Sequence, residues 1–250
     1  MRLFKDSLAR RMMLGLSFVP GLVVLLVCLG LFLKARPILA QKSFFSLLFS
    51  SAWSPLRGEF GLFPFIMGTL WVTAVALVMA VPVSLLSATY LSEYAPRFIR
   101  ELAKPVIDLL AGIPSVIYGV WGVLLIVPFV GRVLAPLFGV ESSGYTVLAG
   151  GVVLAIMIFP TIISVCLEVF ASIPYEMRET SLSLGATKWE TVRYVVLKKG
   201  LQGIIAAVVL GLSRAFGETM AVLMVVGNIP RLPKSVFDSG YPLPALIANN

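Results

Sequence analysis

Long apolar runs, separated by short charged segments, dominate the pattern of the chain. Charge-free runs cover residues 12–33, 60–92, 109–131, 142–167 and 200–213. The first four are long enough to span a bilayer, since about 20 apolar residues suffice for a transmembrane helix. The fifth is interrupted by Arg214 and Glu218 and then stays uncharged from Thr219 to Pro230, so it predicts a span with two internal charges. The predicted spans lie at about 12–33, 64–86, 106–130, 145–168 and 201–227.

Glycine and proline interrupt two of these predicted helices. Gly112, Pro114 and Gly119 lie in the third span and Pro160 lies in the fourth. Proline removes a helical hydrogen bond, so we expect kinks or breaks that free carbonyl groups for other partners. The alternative is that Gly and Pro are simply more frequent in membrane helices than in soluble ones.

The composition excludes several classes of protein. With 59% hydrophobic and 13% charged residues, the chain does not have the composition of a water-soluble protein. It contains no histidine, which excludes imidazole-based catalysis and histidine-ligated metal sites. Cys28 and Cys166 lie in apolar runs, where packing is favoured over a disulfide or a metal site. No catalytic residue and no metal ligand is predicted.

The positive charges indicate an orientation in the membrane. If the N-terminus is cytoplasmic, the inner segments hold twelve Lys and Arg residues and the outer segments hold seven. Positive residues are preferentially retained on the cytoplasmic side, so this count favours a cytoplasmic N-terminus. The net charge of +8 therefore serves orientation, and no basic cluster alternates with aromatic residues as on a nucleic-acid-binding surface.

The inner segment between the fourth and fifth predicted spans has the signals of a helical hairpin. Ser172 is predicted to cap a first helix, and Gly185 is predicted to end it in a left-handed conformation. Thr187 and Glu190 have the T-x-x-E spacing of a capping box, which starts a second helix. The hairpin has an apolar face suited to contact with another protein. This face consists of Leu182, Leu184, Trp189, Val192 and Val196.

The same segment resembles the EAA loop of ABC importer permeases. Glu179-Thr180-Ser181 is followed by three residues, Gly185, nine residues and Val195-Val196-Leu197. Thr180 and Ser181 replace the two alanines of the family pattern, and Lys198 replaces its proline. The resemblance implies a coupling helix that docks in a groove of an ATP-binding subunit. The implied coupling residues are Glu179, Gly185, Ala186, Thr187 and Trp189. An amphipathic hairpin on the lipid surface is the alternative.

Further stretches resemble the phosphate-specific ABC permeases, and chiefly those of the PstC type. They cover residues 53–73, 90–96, 109–122, 184–197, 213–222 and 227–238. The resemblance implies an all-α, polytopic transmembrane bundle of the type I ABC importer permease kind. Five spans are visible in the sequence, and the resemblance implies a sixth after them.

The predicted organisation follows from the spans. Residues 1–11 form a cytoplasmic N-terminus, 12–33 the first span and 34–63 an external loop. Residues 64–227 form the permease core, which includes the cytoplasmic coupling loop 172–199. Residues 228–250 form an external segment that leads to the apparently missing last span.

The two charges in the fifth span are the strongest candidates for a substrate path. Arg214 and Glu218 are four residues apart, so on a helix they share a face and can form an ion pair. An ion pair adds little net stability, which favours a functional role. The guanidinium fork of Arg214 can hold two phosphate oxygens, while Glu218 competes for it and lets the anion leave. Weaker candidates for the path are Thr219, Ser115, Tyr118, Thr69 and Thr73.

The resemblance implies a transport subunit that is not itself an enzyme. The chain lacks a G-x-x-x-x-G-K-[ST] loop, so no ATP is expected on it, and ATP with Mg is expected in a partner ATPase. The implied partners are a second permease subunit of the PstA type, a dimer of ATP-binding cassette subunits, an external phosphate-binding protein, phosphate and the lipid bilayer. The implied location is the bacterial inner membrane, with several passes. The alternatives are a permease for molybdate, sulfate or tungstate, an ion-driven secondary transporter, and an intramembrane enzyme.

Overall fold

The computed structural model describes the backbone of residues 2–249, and the chain divides into two structural units after Ser50. The first unit holds helix α1 (Arg2–Gln41) and the short helix α2 (Phe44–Phe49). The large apolar side chains of α1 from Met12 onward are exposed. The helix continues through Lys34 and Arg36, so its candidate span, Met12–Ala40, is longer than the charge-free run predicts.

The second unit consists of helices and connecting loops with one small β-hairpin, which confirms the predicted all-α class. Strands β1 (Trp53–Ser54) and β2 (Glu59–Phe60) pair antiparallel around a 3-10 turn. The helices of the unit are α3 (Phe63–Thr89), α4 (Arg97–Gly112), α5 (Ser115–Trp121), α6 (Val127–Phe129), α7 (Ala135–Leu137), α8 (Val147–Ala171), α9 (Tyr175–Ser183), α10 (Lys188–Thr191), α11 (Leu197–Phe216), α12 (Met220–Val225) and α13 (Leu243–Asn249).

Wider π-helical turns join several of these helices into longer ones. Tyr90–Tyr94 extends α3, and Val192–Val196 joins α10 to α11. Gly122–Ile126 and Val130–Leu134 join α5, α6 and α7. A π-turn holds one more residue than an α-turn and often marks a functional position in a helix.

Within residues 2–249, five helices are long and apolar enough to cross a membrane, as the sequence predicts. Besides that of α1, these candidate spans are Phe63–Tyr94, Ser115–Leu137, Val147–Ala171 and Lys188–Phe216. The third begins at Ser115 rather than near residue 106, because the chain leaves the helical conformation before Pro114. The fifth ends at Phe216 rather than near residue 227, because the chain turns at Gly217.

Helices α3 and α8 form the centre of the second unit, where glycines let them approach closely. A Cβ atom on Gly151 of α8 would lie 2.4 Å from Cγ1 of Val75 on α3. Buried side chains such as Leu154 and Ile158 fill the remaining contact. Pro160 lies inside α8, which stays helical from Val147 to Ala171, so the chain does not break at this proline, and a kink there stays a prediction.

Replacement of Gly151 by leucine is expected to lower the thermal stability of the protein. The new side chain would have to occupy the volume of Val75, and overpacking of this kind costs about 1–3 kcal/mol. The measurement is the Tm of the detergent-solubilised protein. Gly30→Leu in α1 is the matched control, because no atom lies within 4 Å of its Cβ position. Equal Tm values for the two variants would contradict the packing role of Gly151.

Candidate functional site

A break between α4 and α5 forms the centre of the candidate site. Gly112 ends α4, Ile113 and Pro114 have ψ angles of 129° and 138°, and Ser115 begins α5. Proline disfavours the helical conformation of the residue before it, which explains the position of the break. A helix that ends in this way leaves its last carbonyl groups without helical partners.

Two side chains donate to carbonyl groups in this last turn of α4. The hydroxyl of Tyr118 donates to the Leu110 carbonyl at 2.8 Å. Nη2 of Arg214 donates to the Ala111 carbonyl at 3.4 Å. A cation at a helix C-terminus also interacts favourably with the helix dipole. Tyr118 and Arg214 therefore both contact the end of α4, and Ser115 begins the helix that follows the break.

Arg214 also reaches helix α8. Its Nη1 donates to Oγ1 of Thr161 at 2.7 Å, so one guanidinium connects α4, α8 and α11. Thr161 was not predicted from the sequence as a site residue. The signal that could have found it is a hydroxyl-bearing residue directly after Pro160 in a mostly apolar run. Both partners of Arg214 are neutral acceptors, which leaves its positive charge without a compensating anion in these contacts.

Glu218 does not pair with Arg214, so the predicted ion pair on one helix is wrong. Helix α11 ends at Phe216, and Oε1 of Glu218 accepts from the Ala221 amide at 3.2 Å at the start of α12. Glycine at 217 disfavours continuation of the helix, and the first amides of α12 offer hydrogen-bond donors to the carboxylate. In the part of the chain that the structure describes, the ion pairs are Arg97–Glu101 and Arg178–Glu93.

The remaining predicted path residues occupy different places. Thr219 is half-buried directly before α12, and its carbonyl accepts from the Leu223 amide at 2.9 Å. The hydroxyl of Thr69 donates to the Phe65 carbonyl at 2.8 Å and accepts from the Leu243 amide at 2.9 Å. Thr73 is buried one turn further along α3. The structure thus gives Thr69 a part in the packing of α3 against the α13 region.

The predicted hairpin is present as α9 and α10, and the turn between them has the expected conformation. Gly185 has a φ of +88°, in the left-handed region that favours glycine. Its amide donates to the Leu182 carbonyl at 3.0 Å, and the Ala186 amide donates to the Ser181 carbonyl at 3.2 Å. These bonds satisfy carbonyl groups at the end of α9. The predicted helical stop at Gly185 is confirmed.

The predicted capping box is also confirmed, whereas the predicted cap at Ser172 is wrong. The Thr187 amide donates to Oε2 of Glu190 at 2.7 Å, and the Glu190 amide donates to Oγ1 of Thr187 at 3.3 Å. The Ser172 hydroxyl instead donates to the Val169 carbonyl at 2.7 Å, at the end of α8. Helix α9 begins only after Pro174, beyond the reach of this serine.

The apolar face of the hairpin divides into an exposed and a buried part. Leu184 is 84% exposed and Trp189 is 54% exposed, on either side of the Gly185 turn. Val192 and Val196 are buried in the core of the second unit instead. Glu179 lies on α9 with an exposed side chain. The exposed tip therefore carries the candidate docking residues, while the following turn anchors the hairpin.

A partly buried ion pair at the base of the hairpin was not predicted. Nη2 of Arg178 on α9 lies 2.8 Å from Oε1 of Glu93, and the two side chains are 13% and 10% exposed. The residues are 85 positions apart, so no local pattern in the sequence indicates the contact. The sequence does place both residues at the inner ends of predicted spans. This shared level in the membrane is the signal that could have indicated a contact between them.

Comparison with known proteins places these features in a family. Residues 80–241 match the model of the family described as the binding-protein-dependent transport system inner membrane component. The match includes the broken helix, Arg214 and the whole hairpin.

Named relatives are similar over most of the chain. The probable ABC transporter permease protein YqgH of Bacillus subtilis is 41% identical over 205 residues, which cover 81% of this chain and 65% of the relative. The phosphate transport system permease protein PstC of Xylella fastidiosa is 40% identical over 82% of this chain and 68% of its own length. PstC 2 of Mycobacterium tuberculosis is 36% identical over 91% of this chain and 76% of its own length. The chain thus spans about two thirds of the first two relatives.

Proposed function

Because this chain belongs to the family of binding-protein-dependent transport system inner membrane components, we propose that it is a permease subunit of an ATP-driven importer of inorganic phosphate. The chain is a multi-pass membrane protein, and its described residues include five helices able to cross a bilayer. The named function of its PstC relatives supports phosphate as the substrate. The observation that carries the proposal is the position of Arg214 at the break between α4 and α5.

Arg214 suits an anionic substrate because no carboxylate neutralises it in the described structure. Its two hydrogen bonds go to a hydroxyl and a backbone carbonyl. A charge inside a membrane protein is costly unless it serves a pathway or finds a partner. A guanidinium has five N–H donors in a planar fork, so the donors outside these two bonds can hold the oxygens of a passing phosphate.

Glu218 and Thr219 fit a site that holds phosphate only briefly. Both residues are half-buried and lie in the turn between α11 and α12, close in sequence to Arg214. The negative charge of Glu218 in this turn opposes a deep energy minimum for an anion. A permease needs such balance, because binding must be weak enough for the ion to leave.

The hairpin supports a role for ATP hydrolysis in a partner subunit. Its exposed residues around the Gly185 turn fit the docking surface of an ATP-binding cassette dimer. We propose that this dimer binds ATP with Mg, and that a second permease subunit of the PstA type and an external phosphate-binding protein complete the importer. This arrangement puts the hairpin and the N-terminus in the cytoplasm, with the chain in the bacterial inner membrane.

ATP hydrolysis by the reconstituted complex tests this proposal directly. Phosphate, presented with its binding protein, is expected to stimulate hydrolysis and uptake about tenfold more than molybdate or sulfate, which corresponds to about 1.4 kcal/mol of discrimination. Equal stimulation by molybdate or sulfate would assign the chain to another oxyanion. Phosphate uptake driven by an ion gradient without ATP would instead indicate a secondary transporter.

A further inference from the structure

The first helix of the docking hairpin, α9, depends on few contacts for its attachment to the membrane helices. Helix α9 has no buried residue along its nine positions. Met177 packs partly against the core, and the Ser181 and Thr191 hydroxyls lie 2.9 Å apart between α9 and α10. The charged side chain of Arg178 in α9 is only 13% exposed.

Arg178 connects three elements at once. Its Nη2 lies 2.8 Å from Oε1 of Glu93, at the end of α3. The same guanidinium donates to the Phe170 carbonyl and to the Ile173 carbonyl, both at 2.8 Å, at the end of α8. The Ser92 hydroxyl donates to Oε1 of Glu93 at 3.0 Å and fixes the carboxylate. A partly buried charge pair with all these hydrogen bonds has a defined geometry.

Two further basic side chains contact the same end of α3. Arg100 on α4 donates to the Leu91 and Ser92 carbonyls. The Lys188 ammonium on α10 lies 4.7 Å from the centre of the Tyr94 ring. Both helices of the hairpin therefore contact residues 90–94, through Arg178 and Lys188. Because these residues form a π-turn, this end of α3 departs from regular α-helix at the point of contact.

The other end of α3 contacts the segment before and within α13. The rings of Phe65 and Tyr241 are 5.1 Å apart, and Oγ1 of Thr69 accepts from the Leu243 amide. A Cβ atom on Gly68 would lie 3.0 Å from the Tyr241 carbonyl oxygen, so the backbones are close there. Helix α3 thus extends from the hairpin to the predicted external segment, and a rigid helix can carry a displacement between them.

We propose that the Glu93–Arg178 pair is the positioning contact that transmits movement of the docking hairpin to α3, and through α3 to the external segment. This inference rests on the proposed function as an ATP-driven permease. We assign these two residues to positioning rather than to docking, because their side chains are only 10% and 13% exposed. Loss of either charge leaves the other one poorly compensated and loosens the hairpin from α3.

Uptake per ATP hydrolysed is the quantity that tests this inference. In proteoliposomes with the complete complex, Glu93→Gln and Arg178→Gln are each expected to lower this ratio about tenfold, within the range of couplings between distant sites. The double variant is expected to have the same ratio of uptake to ATP hydrolysis as either single variant, because the two residues act as one contact. Arg178→Lys, which keeps the charge, is expected to recover part of the ratio.

The control and the contrary outcomes separate this role from docking and folding. Arg97→Gln breaks an exposed ion pair with Glu101 on α4, and its ratio is expected to match the wild type. An unchanged ratio in Glu93→Gln, no recovery in Arg178→Lys, or loss of the ATP-binding subunit during purification would each overturn the inference. The assay uses whichever oxyanion best stimulates the wild-type complex. If that oxyanion is not phosphate, the proposed function is refuted, but the role of the Glu93–Arg178 pair can still be tested.

Discussion

Replacement of Arg214 by glutamine is expected to reduce phosphate uptake on the order of 100-fold. Glutamine can still donate to Thr161 or Ala111, but it lacks the positive charge and the fork. Loss of two charge-assisted hydrogen bonds to phosphate costs about 3 kcal/mol, which corresponds to that reduction. The measurement is the initial rate of radiolabelled phosphate uptake by the reconstituted complex, with the amount of copurified ATP-binding subunit recorded for each variant.

Thr161→Val separates the charge of Arg214 from its structural bonds. This variant removes the hydroxyl acceptor at 2.7 Å but leaves the guanidinium in place, so we expect a reduction below about tenfold, the cost of one hydrogen bond. Arg214→Lys keeps the charge without the planar fork of donors, so its phosphate uptake is expected to lie between those of Thr161→Val and Arg214→Gln. Equal losses in Thr161→Val and Arg214→Gln would show that Arg214 acts by holding α8. Normal uptake by Arg214→Gln would remove Arg214 from the path.

The bilayer explains why the sequence predicts the number of spans well. Hydrocarbon tolerates few charges, so the positions of charged residues alone indicate five helices. The predicted ends of the helices are less accurate, because a charged residue does not have to end a helix and an apolar residue does not have to continue one. Helix α1 passes through Lys34 and Arg36, and α11 ends at Phe216 although the following residues are mostly apolar.

Local signals in the hairpin are predicted correctly because neighbouring residues decide them. The left-handed conformation of Gly185 and the capping box of Thr187 and Glu190 depend on residues within one turn. Ser172 shows the limit of this reasoning, since its hydroxyl has an alternative acceptor in the Val169 carbonyl of α8. A capping residue is ambiguous when one helix ends just before the next begins.

Contacts between distant residues explain most of what the sequence did not predict. The assumption that Arg214 and Glu218 share a helix required α11 to continue through Gly217. The partners that Arg214 has instead, Thr161 and Ala111, are 53 and 103 positions away. Their proximity follows only from the packing of α4, α8 and α11, which helical periodicity does not determine.

Replacement of Gly185 by valine is expected to impair coupling between ATP hydrolysis and uptake about 30-fold. A left-handed conformation costs an L-residue about 2 kcal/mol, and a β-branched side chain fits it poorly. No atom lies within 4 Å of the Cβ position, so the effect comes from backbone strain rather than from a clash. The strained turn would release the bonds that close the end of α9 and misplace Leu184 and Trp189. The measurement is phosphate-stimulated ATPase activity together with uptake.

Gly139→Val is the matched control for this prediction. Gly139 has a φ of +69°, also has no atom within 4 Å of its Cβ position, and lies just after α7, away from the hairpin. The two variants therefore impose similar backbone strain at different places. If strain acts through the hairpin, only Gly185→Val loses coupling, while both show a similar loss of thermal stability. Equal loss of coupling in both variants would mean that general destabilisation, and not the turn of the hairpin, limits transport.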